Sequence, residues 1–227
     1  MSGECLTKSA FQMLASERYD QRYDPALVRS RLLLAIELFK QPDKIAIERA
    51  LHLAEEVHRN SMRSHENSQK FIVHPMRVAL ILIEELKISH PEPVSAALLH
   101  DVVEDEKGRY STFDLEKKFG RNVALMVSCV TRPVPDVHIA RDKQLQVYAE
   151  RIAQAAKYTR IIKLAERLDN LRDLFDCGAL AGRLSYIEES IQTYLPVAEK
   201  TDPMLFAELA TVCNQLKLLM PSRVAAE

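Results

Sequence analysis

The stretch Pro93–Asp105, reading PVSAALLHDVVED, limits this chain more than any other. Its first seven residues are almost wholly apolar or Ala, a run that has to be buried on several sides. His100, Asp101, Glu104 and Asp105 then arrive together. Read as one helix, His100 and Glu104 share a face, and Asp101 and Asp105 share the next, because residues four apart are stacked neighbours. An imidazole and three carboxylates at the end of a core helix cost solvation energy unless something pairs with them. A divalent metal would do so; a buried hydrogen-bonded cluster without metal is the alternative. Val102 and Val103 continue the apolar pattern through the same turn, which argues against a plain surface.

Composition narrows the fold. Five Gly and no Trp, with abundant Leu, Ala, Glu and Lys, favour helix over strand, so the expectation is an all-α chain. Lys plus Arg number 31 against 32 for Asp plus Glu. No global field then attracts nucleic acid or an anionic membrane, and any phosphate-binding surface must be local. Cys5, Cys129, Cys177 and Cys213 lie far apart and form no C-x-x-C, which argues against a zinc cluster or a disulfide framework. The longest strongly apolar run, Val78–Ile83, is far short of the ~20 residues of a membrane span, and MSGECLTKSA is no signal region. A soluble, cytoplasmic protein is expected.

Along the chain, Pro25–Phe39 reads as an extra helix laid against the main domain or against a second copy. Asp43 reads as the N-cap of a long helix whose stripe is Ile47, Leu51 and Ala54, continued by His58. His58 there is more simply a core-edge histidine with a satisfied hydrogen bond than a ligand. A polar loop, NSMRSHENSQK, carries Arg63, a cation suited to stacking on a base or forking onto phosphate, although most loop arginines are only solvated. Pro75 suits a first helical position and sets His74 at the helix mouth. Pro91 and Pro93 break the chain before the His100 helix. Gly108 ends that region, Ser111 and Asp114 open a short helix closed by Gly120, and Arg121–Cys129 is helical. Another helix runs from about Val137 to Tyr158. Arg160–Phe175 has a core stripe of Ile161, Leu164, Leu168, Leu171 and Phe175, beside a polar stripe of Lys163, Glu166, Arg167 and Asn170. After a break at Gly178 and Gly182, Arg183–Ala198 and Pro203–Met220 finish the chain, the latter capped by Asp202.

The His-Asp dipeptide alone is weak, since chance gives about 0.4 per chain of this composition. Its company is stronger: ALHLAEEVHRNSMR, FIVHP, AALLHDVVED, TFDLEKKFG, VTRPV, IIKLAERLDNLRDL and SYIEESIQTYLPVAE, in that order. Together these segments resemble the HD hydrolase domain of the RelA/SpoT homologue family, in its small alarmone hydrolase form. The resemblance covers about two thirds of the chain, roughly Ile45–Lys200. It implies an HD-domain helical fold, here residues 43–200, with extra helices in an N-terminal extension (1–42) and at the C-terminus (201–227). It also implies a manganese enzyme that removes the 3′-diphosphate from guanosine tetra- and pentaphosphate (ppGpp and pppGpp). By position, His74, His100 and Asp101 match metal ligands, and Glu104 and Asp105 match a pair that orients the attacking water. Arg63 matches an arginine packed on guanine, and Asn170 an asparagine at the nucleotide.

Four departures stand out. The fourth ligand, Asp in the family, is Glu166 here, one methylene longer, and Asp169 is the alternative oxygen donor. The family's commonly aromatic or His position is taken by Asp169, and the basic residue after the loop arginine is Ser64. Many members carry Gly-Glu-Pro-Tyr where this chain has Ser-Gln-Lys-Phe. Lys163, Arg167 and Lys143 are named for the diphosphate by charge and position alone. Two other functions stay open: an HD phosphohydrolase for a different nucleotide, and a non-catalytic alarmone-binding module.

Overall fold

The structure, a computed structural model, describes residues 22–63, 69–105, 109–177 and 183–219; the side chains of Asp105 and Cys177 also lie outside the description. So do Ser64, Gly108, Gly178 and Gly182. Among the described residues every named element is helical, and the only β pairing is an isolated bridge, Met62–Lys70.

The helices are α1 (Pro25–Ile36), α2 (Asp43–Val57), α3 (Val73–Leu80, running into a π turn over Ile81–Glu85), α4 (Pro91–Leu99) and α5 (Val102–Asp105). Then come α6 (Thr112–Phe119), α7 (Arg121–Val130), α8 (Arg141–Gln154) and α9 (Lys157–Cys177). The chain closes with α10 (Leu184–Glu189, followed by a π turn over Ser190–Tyr194), α11 (Leu195–Glu199) and α12 (Pro203–Leu219). No described helix is long and apolar enough to cross a membrane.

Helix α4 is the centre. Val94, Ala96, Ala97, Leu98 and Leu99 are all fully buried, because α2, α3, α7 and α9 pack around it. Each of its two leucines contributes about 1.5–3 kcal/mol by leaving water. Pro91 starts this helix rather than breaking the chain before it, a position where its missing N–H costs nothing.

The expected continuous helix through Asp105 does not form. It stops at Leu99, His100 and Asp101 make a turn, and α5 restarts at Val102. Nδ1 of His100 lies 2.7 Å from the carbonyl of Ala97, the acceptor that a continuing helix would offer to the amide of Asp101. The side chain takes the helix's own bond, and the break turns His100 and Asp101 towards one point.

Other boundaries follow local chemistry. Asp24 caps α1, accepting from the amides of Ala26 and Leu27 at 2.8 and 2.9 Å. Asp43 is the first residue of α2 and not its cap; Pro42 precedes it with no side-chain cap bond. Asp202 caps α12 as expected. Helix α8 is shorter than the periodicity suggested, and α9 starts at Lys157. The core stripe of α9 passes through Leu174, while Phe175 is 38% exposed. Ser111 and Asp114 form a reciprocal capping box on α6. Ser111→Ala is expected to lower stability by about 1 kcal/mol, read as a shift in the urea midpoint with unchanged m-value.

Candidate metal centre

Three elements bring the centre together: α3 supplies His74, the turn after α4 supplies His100 and Asp101, and α9 supplies the polar wall behind them. Both imidazoles are 2% exposed. Their rings lie 5.1 Å apart at 73°. Each is tied through Nδ1, His100 to the Ala97 carbonyl at 2.7 Å and His74 to Oδ2 of Asp169 at 2.7 Å. Both Nε2 atoms then turn towards Asp101, whose Oδ2 lies 3.0 Å from His100 Nε2 and 3.8 Å from His74 Nε2. His100 Nε2 makes no hydrogen bond in good geometry despite that distance. Donor atoms of His74, His100 and Asp101 all lie within 4.8 Å of one another. Two imidazoles anchored through Nδ1, one carboxylate and little solvent fit a divalent cation.

The electrostatics agree with that fit. Burial opposes a charge on His100, yet the carboxylates of Asp101 and Glu166 lift it to about 9. Burial also opposes the charge on Asp101, but His100 and Lys163 hold it far below the usual carboxylate range. A bound cation would take the place of the positive charge that Asp101 favours on His100. Burial, then the charge of Arg63, keeps His74 below its ordinary value. Glu104, half-buried on α5, is pushed up to about 7, first by burial and then by the Asp101 charge.

The remaining residues separate by place. Glu166 stands outside the three-member group; its Oε2 accepts from Lys163 Nζ at 2.5 Å and its Oε1 from Asn170 Nδ2 at 3.3 Å. Its charge still acts on both His100 and Asp101. Lys163 is 2% exposed, 5.3 Å from the Tyr148 ring. Arg63 and Asn170 meet directly, guanidinium to amide oxygen at 2.5 Å, and Arg63 lies 6.0 Å over Phe71. Arg167 points elsewhere: its guanidinium lies between Tyr186 and Tyr194, 4.2 and 4.0 Å from the ring centres, and pairs with Glu189 at 3.0 Å. Lys143 is exposed on α8, and no ion pair joins it to the cluster among the described residues. His58 is buried against Phe71 with ring centres 4.7 Å apart, and burial lowers it to about 4.

Asp169 is fully buried. Arg77 grips it with two bonds, Nε to Oδ1 at 2.7 Å and Nη2 to Oδ2 at 2.8 Å, and Arg22 adds a contact at 3.2 Å. Arg77 also bonds Asp173, which Arg63 reaches at 3.0 Å. Sequence reasoning missed Arg77 and Asp173. Two signals were present: a charge inside the otherwise core-like VHPMRVAL, and an Asp pair spaced four apart on α9.

The geometry defines a helical domain with a candidate His/His-Asp metal site, and residues 50–203 match the family model described as "HD domain". Among relatives, the guanosine-3′,5′-bis(diphosphate) 3′-pyrophosphohydrolase MESH1 of Danio rerio is 38% identical over 56% of this chain and 68% of its own length. MESH1 of Xenopus tropicalis is 33% identical over 70% of this chain and 83% of its own. The chain spans only 21% of the Aquifex aeolicus relative of the same activity name, at 33% identity. A solved structure described as a metazoan ortholog of SpoT that hydrolyzes ppGpp superposes with a TM-score of 0.67 at 28% identity, covering 77% of this chain and 97% of that one. The chain belongs to the HD-domain family and, within it, to the RelA/SpoT homologue hydrolases.

Proposed function

We propose that this chain is a manganese-dependent 3′-pyrophosphohydrolase of guanosine tetra- and pentaphosphate, acting in a reducing cytoplasm. The observation that carries the reading is the convergence of His74, His100 and Asp101 within 4.8 Å. Relatives sharing a third of its sequence bear the name of that activity.

His74, His100 and Asp101 would hold the cation, with Glu166 the fourth protein ligand once Lys163 releases it. A bound cation lowers the pKa of its water and offsets phosphoryl charge. Glu104 would align that water and accept its proton; its amide already bonds the Asp101 carbonyl at 3.1 Å, so it is one turn from the centre. We assign Asp105 the same supporting role. Water that has given its proton to Glu104 would add to the phosphorus attached to O3′, the P–O3′ bond would break, and the sugar oxygen would leave as a hydroxyl on taking that proton from Glu104. The products from guanosine tetraphosphate are GDP and pyrophosphate. Arg63, held by Asn170 and Asp173, would lie on the base, Asn170 would contact the nucleoside, and Lys163, with Lys143 further out, would meet the diphosphate.

A comparison of substrates at fixed manganese tests this. Pyrophosphate and GDP should appear from guanosine tetraphosphate, at a rate well above phosphate release from guanosine 3′-monophosphate. Preference for the monophosphate would move the chain to another substrate class. The Lys163–Glu166 pair favours a second reading, an alarmone-binding module without turnover. That reading predicts nucleotide binding with no product under any divalent metal.

Glu104→Gln should keep the metal and lose about 10²–10⁴-fold in kcat. Wild-type kcat/KM should rise with pH as Glu104 ionises, and that acid limb should vanish in the variant. The cation's charge should set the limb below the value near 7 that burial and Asp101 impose without it.

A further inference from the structure

We infer that Asp169 is a positioning residue for His74, clamped by Arg77 so that His74 keeps its Nε2 lone pair turned into the metal centre. The purpose of this device rests on the metal-centre reading above; the device itself is visible in the hydrogen bonds.

The two imidazoles solve the same problem by different means. His100 anchors its Nδ1 to the carbonyl of Ala97, three residues back on its own helix, which the backbone holds in place. His74 has no such neighbour and uses a carboxylate 95 residues away in sequence. A side chain can serve as an anchor only if it is itself fixed. Arg77, on the same helix as His74 and three residues on, supplies this with a two-bond fork at 2.7 and 2.8 Å. Arg22 adds a third cationic contact to Oδ1 at 3.2 Å.

The tautomer follows from donor counting. A carboxylate facing three guanidinium groups, those of Arg77, Arg22 and, at 3.8 Å, Arg63, is ionised and can only accept, so the proton between it and His74 sits on Nδ1. A second proton on Nε2 would face its nearest carboxylate oxygen, on Asp101, at 3.8 Å, too long for a hydrogen bond. The neutral Nδ1–H form results, with Nε2 able to ligate. In this arrangement Asp169 touches the side of the ring opposite the cluster, so it acts through His74. The same clamp extends through Asp173 to Arg63 at 3.0 Å, linking the arginine proposed for the base to the ligand.

The test begins with the unaltered chain, so the tautomer is read in the native fold and a variant serves only to assign the signal. Ring ¹⁵N spectra of the metal-free protein at pH 8, with His74 assigned from the spectrum of His74→Gln, should show His74 wholly as the Nδ1–H tautomer. His74 carrying its proton on Nε2 would overturn the inference. Asp169→Asn should then give a mixed tautomer and weaken manganese binding about 10–100-fold, measured by direct titration of the metal alone. Unchanged affinity would overturn the positioning role. A loss as complete as that of His100→Ala would also overturn it, by making Asp169 a ligand. A chain that passes both measurements yet releases no pyrophosphate would support the clamp and remove only the hydrolase reading.

Discussion

His100→Ala is expected to abolish metal retention and turnover together. The ring supplies one of the two imidazole nitrogens that converge on Asp101, and its Nδ1 bond to Ala97 shapes the turn that carries Asp101. Alanine removes the proposed ligand and frees the Ala97 carbonyl, which lets α4 run on towards Asp101 and turn that carboxylate away. A cation is worth several kcal/mol of transition-state charge stabilisation. At about 1.4 kcal/mol per tenfold, kcat/KM should fall by about 10³ or more. Metal analysis of the purified variant and a pyrophosphate assay check both halves. An active, metal-replete His100→Ala protein would contradict the site assignment.

Arg77→Met should be the most damaging change to stability. It leaves Asp169 and Asp173, which are 0% and 4% exposed, with only Arg22 and Arg63 to compensate them. Breaking a buried ion pair from one side costs about 3–5 kcal/mol, because a charge is left without its partner. For a chain of this length that corresponds to a drop of about 10 °C in Tm. Arg77→Lys should recover only part of it, since an ammonium cannot form the fork to Asp169 and reach Asp173 as well. Thermal unfolding of both variants with the metal removed by chelation separates this loss from that of a ligand. A Tm for Arg77→Met within about a degree of the wild type would show that the network stabilises nothing.

Local pattern made much of the fold legible. The unbroken apolar run through Leu99 requires a helix buried on all sides, and the four surrounding helices provide that. The capping box at Ser111 and the Asp202 cap needed only neighbours in sequence. The turn at His100 was not legible, because periodicity cannot show a side chain taking its own helix's carbonyl. Nor was the Arg77–Asp169 pair, whose partners lie 92 residues apart with no repeating signal between them. Charge alone was also a poor guide to direction. Arg167 and Lys163 sit four apart on α9, yet the first stacks between two tyrosines and the second pairs with Glu166 at the centre. Both are buried, so the polar stripe of α9 faces inwards, where a solvated face would be the simpler expectation.

The most direct measurement is the metal content of the wild-type chain purified without chelator, followed by pyrophosphate release from guanosine tetraphosphate with added manganese. The account predicts close to one manganese per chain and stoichiometric GDP and pyrophosphate. A chain that takes up no manganese and leaves the nucleotide intact, while still binding it, would contradict the account.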